Sequence, residues 1–127
     1  MIRIACALTL AAVATAAVAQ PAEQTINVAL TNYAFTPKVI HLHHGAPYRL
    51  HLTNTSGKGH DFEAYELFEA SQVAAGDRGK IDDGKIEVDK GQAVDVRFTP
   101  LKAGTYKVKC THPFHEMLGM SGEVVVD

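Results

Sequence analysis

The segment Cys110–Met120 places a thiol, imidazole rings and thioethers within eleven residues near the end of the chain. A thiolate, imidazole nitrogen and a weakly bound thioether form a ligand set that suits copper better than zinc, iron or calcium. Such a site needs a fourth ligand from elsewhere in the chain, and His60 is the natural candidate. The sequence therefore predicts a copper protein whose fold brings His60 to this segment.

The first 19 residues are predicted to be a secretory signal peptide. Arg3 precedes an apolar run at residues 4–18, and small residues at 17 and 19 form a cleavage pattern. The alternative is a membrane anchor, but the run is short of the roughly 20 apolar residues that a spanning helix needs. We expect cleavage after residue 19, a mature domain at residues 20–127 without a membrane span, and a periplasmic location.

Loss of this segment would leave a single cysteine. Cys6 lies inside the predicted signal peptide, so Cys110 alone remains in the mature chain. Most cysteines in an oxidising compartment are paired, and a lone one is a metal ligand, a reactive thiol or an intermolecular link. A disulfide within the mature domain is therefore excluded.

The charge balance gives no indication of nucleic acid as a partner. The chain has 12 basic and 14 acidic side chains and a formal net charge of −2, whereas nucleic-acid-binding domains present a basic face. Residues 20–127 are enough for one domain with a single core, but not for two.

Short segments of alternating hydrophobicity predict an all-β fold. Turn residues such as Asp83-Gly84 and Lys90-Gly91 separate these segments. About seven to eight short strands at this spacing indicate a β-sandwich or barrel, with one short helix at residues 65–75. The predicted strands are 25–30, 39–43, 48–53, 86–88, 93–98, 105–110 and 122–126.

The alternation also orients the thiol. Tyr106, Val108 and Cys110 share one face of their predicted strand, and the lysines between them share the other. Because the apolar face marks the core, Cys110 is expected to be buried where the strand ends.

Three pieces of the chain, taken in order, resemble the cupredoxins, the small blue-copper proteins of the plastocyanin, pseudoazurin and azurin type. The resemblance implies a two-sheet Greek-key β-sandwich, one type 1 copper at one end, and electron transfer as the usual role. The pieces are Asn54…Gly59-His60-Asp61-Phe62, Gly104-Thr-Tyr106…Cys110 and His115…Gly119-Met120-Ser-Gly122-Glu-Val-Val-Val.

Carried over position by position, the resemblance implies His60 and His115 as imidazole ligands, Cys110 as the thiolate and Met120 as the long axial ligand. His112 and Met117 repeat the same spacing and offer an alternative register.

We favour the first register. His112 lies only two positions from Cys110, which would make a very tight chelate, whereas Met120 follows Gly119 and precedes the final strand as in the family pattern.

The resemblance also implies a pair of residues around the ligands. The family often has asparagine after the first histidine, bridging to the residue after the cysteine; here these positions are Asp61 and Thr111. A carboxylate would favour Cu(II) and lower the reduction potential. Pro113 has no N–H to donate to the sulfur, and Phe114 would offer an apolar edge to a partner.

Three further histidines have two interpretations. His41, His43 and His51 lie on the polar faces of predicted strands, where exposed side chains are usually just solvated. The alternative is a second, weaker metal site that captures or passes on copper.

Three functions remain open from the sequence. The first is an electron carrier between redox partner proteins of the cytochrome or oxidase type, which we favour. The second is a copper-handling protein, a chaperone or buffer that delivers copper to an acceptor protein, which Met117 and the extra histidines would suit. The third is a cupredoxin-like interaction domain without metal. An enzyme is not expected, because four protein ligands leave no open metal position for substrate, and we expect a monomer.

Overall fold

The computed structural model describes residues 11–127 of the chain. The predicted signal peptide therefore lies partly outside the described residues, and residues 11–23 have no regular secondary structure. Ten strands follow, together with helix α1 at Tyr65–Glu69 and a 3-10 helix at Ala75–Lys80. The strands are β1 Gln24–Thr31, β2 Ala34–Thr36, β3 Val39–Leu42, β4 Tyr48–Asn54, β5 His60–Glu63, β6 Ser71–Val73, β7 Lys85–Val88, β8 Ala93–Pro100, β9 Gly104–Lys109 and β10 Ser121–Val126.

The strands form two five-stranded sheets. One sheet has the order β2-β1-β4-β8-β6, and the other has the order β3-β10-β9-β5-β7. The neighbours are antiparallel except for β1 with β4 and β3 with β10, which are parallel. The predicted two-sheet sandwich is confirmed, but the predicted count of seven to eight strands was too low.

Three short strands account for the difference, namely β2, β5 and β6. The alternation rule misses β5 because three consecutive residues, His60, Asp61 and Phe62, are all buried. It misses β6 because this segment pairs with the edge of β8, placing Gln72 opposite Thr99. Pairing with a distant strand is not visible in local periodicity.

The predicted helix at residues 65–75 was too long. The Ser71 hydroxyl donates to the carbonyl oxygen of Leu67 at 2.6 Å, next to the point where α1 ends. Serine side chains compete in this way with the helical hydrogen-bond ladder. The chain then continues as β6 rather than as helix.

The core lies between the sheets, where alternate side chains of most strands are buried. Tyr48, Leu50 and Leu52 of β4 are buried, as are Tyr106 and Val108 of β9. Fully burying a side chain of this size contributes about 1.5–3 kcal/mol to stability. β9 ends at Lys109, one residue earlier than predicted. The alternation nevertheless continues, so that Cys110 is buried on the core side, as expected.

No helix within residues 11–127 combines the length and the apolar character needed to cross a bilayer.

Candidate metal centre

The sheet order brings the predicted ligands to one end of the sandwich. His60 is the first residue of β5, and Cys110 directly follows β9, the strand beside it. The loop from Cys110 to Met120 then connects β9 to its other neighbour, β10. Two adjacent strands and one connecting loop thus carry all four residues.

Three ligand atoms converge in the interior. His60 Nδ1 lies 3.1 Å from His115 Nδ1, and Cys110 Sγ lies 3.4 Å from His115 Nδ1 and 3.9 Å from His60 Nδ1. A point about 2 Å from all three atoms lies at the centre of this triangle, and metal–nitrogen and metal–sulfur bonds are of about this length, 2.0 and 2.3 Å. The spacing therefore fits one metal ion held by all three side chains.

Met120 completes the set from the end of the loop. Its side chain is fully buried, and two main-chain hydrogen bonds fix its position. The Cys110 N–H donates to the Met120 carbonyl oxygen at 3.1 Å, and the Met120 N–H donates to the His115 carbonyl oxygen at 3.0 Å. His60, Cys110, His115 and Met120 form a buried type 1 copper-like site.

The structure does not bring His112 and Met117, the alternative pair of ligands, to the metal position. His112 Nε2 points to the Glu87 carboxylate at 2.8 Å, and the Met117 side chain is 80% exposed. Neither side chain joins the triangle of ligand atoms.

The ring of His60 is held by two polar side chains that sequence reasoning missed. His60 Nε2 lies 2.9 Å from Asn32 Oδ1 and 3.0 Å from Ser56 Oγ. An amide oxygen only accepts, so Nε2 carries the proton and Nδ1 presents its lone pair to the metal position. Asn32 follows β1 in a sequence context without any metal-site pattern, so no signal could have identified it.

Ser56 is itself positioned by Asn54, which is 1% exposed. Asn54 Nδ2 donates to the carbonyl oxygens of Lys58 and Val88 at 2.7 and 2.9 Å. Asn54 Oδ1 accepts from the main-chain N–H and the hydroxyl of Ser56 at 3.0 and 2.7 Å. This single amide therefore fixes the loop that leads into His60.

The ring of His115 is packed between two other rings. Tyr33 lies at a centroid distance of 4.9 Å and an interplanar angle of 58°, and His112 stacks at 5.4 Å and 14°. His115 is 9% exposed, compared with 0% for His60. It is thus the imidazole ligand nearer the surface.

Asp61 and Thr111 are in contact beside the sulfur. The Thr111 N–H donates to Asp61 Oδ1 at 2.8 Å, and its hydroxyl donates to Asp61 Oδ2. The Asp61 N–H points to Cys110 Sγ at 3.5 Å. The two positions that the resemblance paired therefore do bridge across the site, with a carboxylate in place of the amide.

Burial sets the protonation of the ligands. Desolvation raises the pKa of the Cys110 thiol, although the N–H groups of Asp61 and His112 oppose this shift. Desolvation lowers the pKa of His115, and it lowers that of His60 with the nearby His115 as the second cause. The metal-free site at neutral pH therefore holds a thiol and two neutral imidazoles.

This protonation state predicts that Cu(II) binding releases a proton. Thiolate is the ligand form, so one proton should leave Cys110 for each metal ion bound, and none should leave the histidines. Between the pKa values of the two imidazoles and that of the thiol, apparent affinity should rise about tenfold for each unit of pH. Calorimetry in buffers of different ionisation enthalpy measures the protons released, and a value near zero would contradict the expectation.

The three further histidines do not converge. His43 Nδ1 lies 2.5 Å from Asp127 Oδ1 and His41 is exposed on β3, whereas His51 lies in the other sheet with its Nδ1 2.5 Å from Asp95 Oδ1. Two groups of side chains within residues 11–127 are spaced to hold a metal ion, and neither includes His41, His43 or His51.

The cupredoxin-like domain family matches the chain over residues 3–126. No curated protein sequence matches it. Among solved structures, auracyanin B is 24% identical, with 87% of this chain and 93% of that chain covered at a TM-score of 0.62.

Two further structures differ in how much of them is matched. Auracyanin A, a "blue" copper protein from the green thermophilic photosynthetic bacterium Chloroflexus aurantiacus, is 21% identical, with coverage of 84% and 100% and a TM-score of 0.61. A multicopper oxidase from Campylobacter jejuni is 15% identical at a TM-score of 0.61, with 87% of this chain but only 31% of the oxidase covered. At these identities the likeness shows the fold.

Proposed function

Because this chain belongs to the cupredoxin-like domain family, we propose that it binds one copper ion and carries single electrons between redox partner proteins. The observation that carries the proposal is the triangle of His60 Nδ1, His115 Nδ1 and Cys110 Sγ at 3.1, 3.4 and 3.9 Å. Copper bound there would supply one-electron chemistry by alternating between Cu(II) and Cu(I). The protein supplies a fixed set of ligands for both states.

The fixed geometry supports this role. Asn32 and Ser56 orient His60, Tyr33 and His112 pack against His115, and main-chain hydrogen bonds hold the loop ends together. Ligands locked by their surroundings move little when the metal changes charge, and a small reorganisation favours fast electron transfer.

An apolar surface near His115 supports docking of a redox partner. Phe114, Met117 and Leu118, on the same loop, are 71%, 80% and 57% exposed. Exposed apolar side chains grouped on one loop are typical of interaction sites. A partner bound over this loop would lie close to His115, so we propose that electrons pass through this ligand.

The site leaves no metal position open for a substrate, which agrees with electron transfer rather than catalysis. Four side chains of the chain surround the metal position, whereas catalytic metal sites keep one position open. The oxidase likeness covers under a third of that protein, so it carries only the fold. We propose that the protein is not itself an enzyme, and that it acts in the periplasm as its signal-like N-terminus predicts.

Copper handling is the second candidate. Met117 places a soft thioether, 80% exposed, on the ligand loop, and a shallow pocket bordered by Met117 reaches Cys110. Thioethers favour Cu(I). Under this alternative the protein would pass its copper to an acceptor protein, and the copper would not cycle between Cu(II) and Cu(I).

One experiment separates the two candidates. Cu(II) is added to the purified metal-free protein, and the visible spectrum, the potential and transfer to a chelating acceptor are recorded. Intense colour with reversible one-electron cycling and slow copper loss supports the carrier. Weak colour with rapid copper loss supports handling, and the absence of binding rejects both.

The Asp61 carboxylate predicts a change in potential. Replacing it by Asp61→Asn keeps an oxygen that can accept from the Thr111 N–H but removes a negative charge beside the site. Because negative charge favours Cu(II), the reduction potential should rise by on the order of 50 mV. Voltammetry of the copper-loaded variant measures the shift, and an unchanged or lower potential would reject the electrostatic explanation.

A further inference from the structure

A second cluster of side chains spaced for a metal ion lies beside the copper-like site, with Asp61 buried, His112 half-buried and Glu87 exposed. Ligand atoms of Asp61, Glu87 and His112 all lie within 4.8 Å of one another. His112 Nε2 lies 2.8 and 3.1 Å from the two Glu87 carboxylate oxygens and 4.0 Å from Asp61 Oδ2. Within the described part of the chain, this is the only such group besides His60, Cys110 and His115.

The strand register sets the two carboxylates against each other. β5 and β7 are antiparallel, and Asp61 lies directly opposite Glu87. Like charges at directly opposed positions destabilise a sheet. The Asp61 side chain is only 3% exposed, so water screens its charge poorly. A bound cation would remove this repulsion.

The backbone leaves room for the cluster at Gly59. A Cβ atom at this position would lie 3.3 Å from His112 Cε1, closer than side chains usually pack, and 3.4 Å from Glu87 Oε1, at the edge of ordinary contact. A side chain at position 59 would thus crowd the imidazole. The missing side chain leaves the His112 ring its place in the cluster.

A solvent-accessible cavity of about 400 Å³ gives ions access to the cluster. Asp82, Lys80 and Lys85 also line it, but the Lys80 ammonium donates to Asp77 Oδ1 at 2.7 Å and to the Asp95 carbonyl oxygen at 2.8 Å. Besides Lys80, the charged residues that line the cavity are therefore three acidic ones, Asp61, Asp82 and Glu87, and one lysine, Lys85. The cavity is therefore suited to a cation.

We propose that Asp61, Glu87 and His112 bind a divalent transition-metal cation such as Zn(II). One imidazole and two carboxylates suit zinc, whereas calcium and magnesium prefer oxygen ligands alone. Two ligand atoms on one zinc ion lie about 3.3 Å apart, so His112 has to approach Asp61 from its present 4.0 Å. Glu87, with its side chain 52% exposed, is free to adjust with it.

The position of the cluster would connect it to the copper-like site. The His112 ring stacks on that of His115 at 5.4 Å, so a cation on His112 would lie close to the metal between His60 and His115. Resting on the proposed function, the added positive charge favours Cu(I) and raises the potential. By linkage, reduction of the copper then tightens binding of the second cation.

The test is a Zn(II) titration of the copper-loaded protein at neutral pH, followed by calorimetry, with the visible colour monitored for copper displacement. We expect one saturable Zn(II) equivalent, retained colour and a raised potential. Glu87→Gln and His112→Asn should each weaken Zn(II) binding by at least about tenfold.

His51→Asn is the matched control, because His51 faces the Asp95 carboxylate at 2.5 Å in an imidazole–carboxylate pair elsewhere on the surface. It should leave Zn(II) binding unchanged. Absence of saturable binding, or binding weakened equally by His51→Asn and Glu87→Gln, overturns the proposal.

A Cys110→Ser protein separates this proposal from the electron-carrier proposal. It lacks the thiolate of the copper-like site but retains Asp61, Glu87 and His112. If this variant binds Zn(II) and the binding is lost on adding Glu87→Gln, the second site is supported. This holds even if the unmodified protein never develops colour with copper. If Glu87→Gln leaves the number of Zn(II) ions bound in this background unchanged, the second site alone is overturned.

Discussion

Replacing Cys110 with serine should abolish the intense visible absorption of the Cu(II)-loaded protein. The colour of a type 1 site depends on a thiolate bound to copper, and a serine hydroxyl stays protonated at neutral pH and binds copper poorly. Loss of a primary ligand should also weaken Cu(II) binding by at least about 100-fold, more than the loss of a supporting hydrogen bond does. Absorption spectroscopy and a competition titration with a chelator measure the two effects.

The fold should survive this change. Cys110 is 1% exposed, and a serine hydroxyl there would lie beside the Asp61 N–H and His115 Nδ1. The change should therefore cost no more than about 1–3 kcal/mol, which urea unfolding of the metal-free protein measures. Met117→Leu is the matched control on the same loop, since Met117 is 80% exposed, and it should keep full colour. Colour retained by Cys110→Ser, or lost by Met117→Leu, would show that the assigned ligand set is wrong.

Replacing Asn54 with alanine should cause the largest loss of stability among the polar side chains around the site. The amide makes four hydrogen bonds, to Lys58, Val88 and twice to Ser56, in a buried position. Each contributes about 1 kcal/mol, and buried groups left without partners add to the cost. We expect the free energy of unfolding to fall by about 3–4 kcal/mol, measured by urea denaturation.

The same change should weaken copper binding about tenfold, because Ser56 helps to orient His60 and Asn54 holds Ser56 in place. Asn32→Ala is the comparison, since the exposed Asn32 makes a similar contact to His60 at 2.9 Å. It should affect copper binding but change stability by less than about 1 kcal/mol. A similar loss of stability in both variants would mean that the buried network is not the cause.

The face of a strand that points to the core could be predicted wherever apolar and polar residues alternate along that strand. Leu50 and Leu52 in β4, Val108 in β9 and Cys110 directly after it are buried as the pattern indicates. The pattern fails at His60–Glu63, where side chains on both faces are covered. It also fails at Ser71–Val73, whose strand character depends on β8. Burial of an outward face and pairing at a sheet edge are properties of the assembled sheets.

The residues of the site divide in the same way, into those that local sequence patterns predict and those that only the assembled sheets bring together. The spacing from Cys110 to Met120 identified ligands that share one loop, and Asp61 meets Thr111 as the resemblance implied. Asn32 and Tyr33 could not be found, because they reach the histidines from the other sheet, between β1 and β2. Glu87 faces Asp61 only because of the β5–β7 register, which depends on pairing across a long stretch of chain.

The connection between β9 and β10 carries three of the four metal-binding side chains, and the hydrogen bond from Cys110 to Met120 ties its two ends together. The sandwich contributes only His60 directly. Residues can therefore be inserted into or deleted from this connection while both sheets keep their strand registers. The two sheets thus hold the ends of the connection, and its internal length determines how far apart the metal-binding side chains lie along the chain.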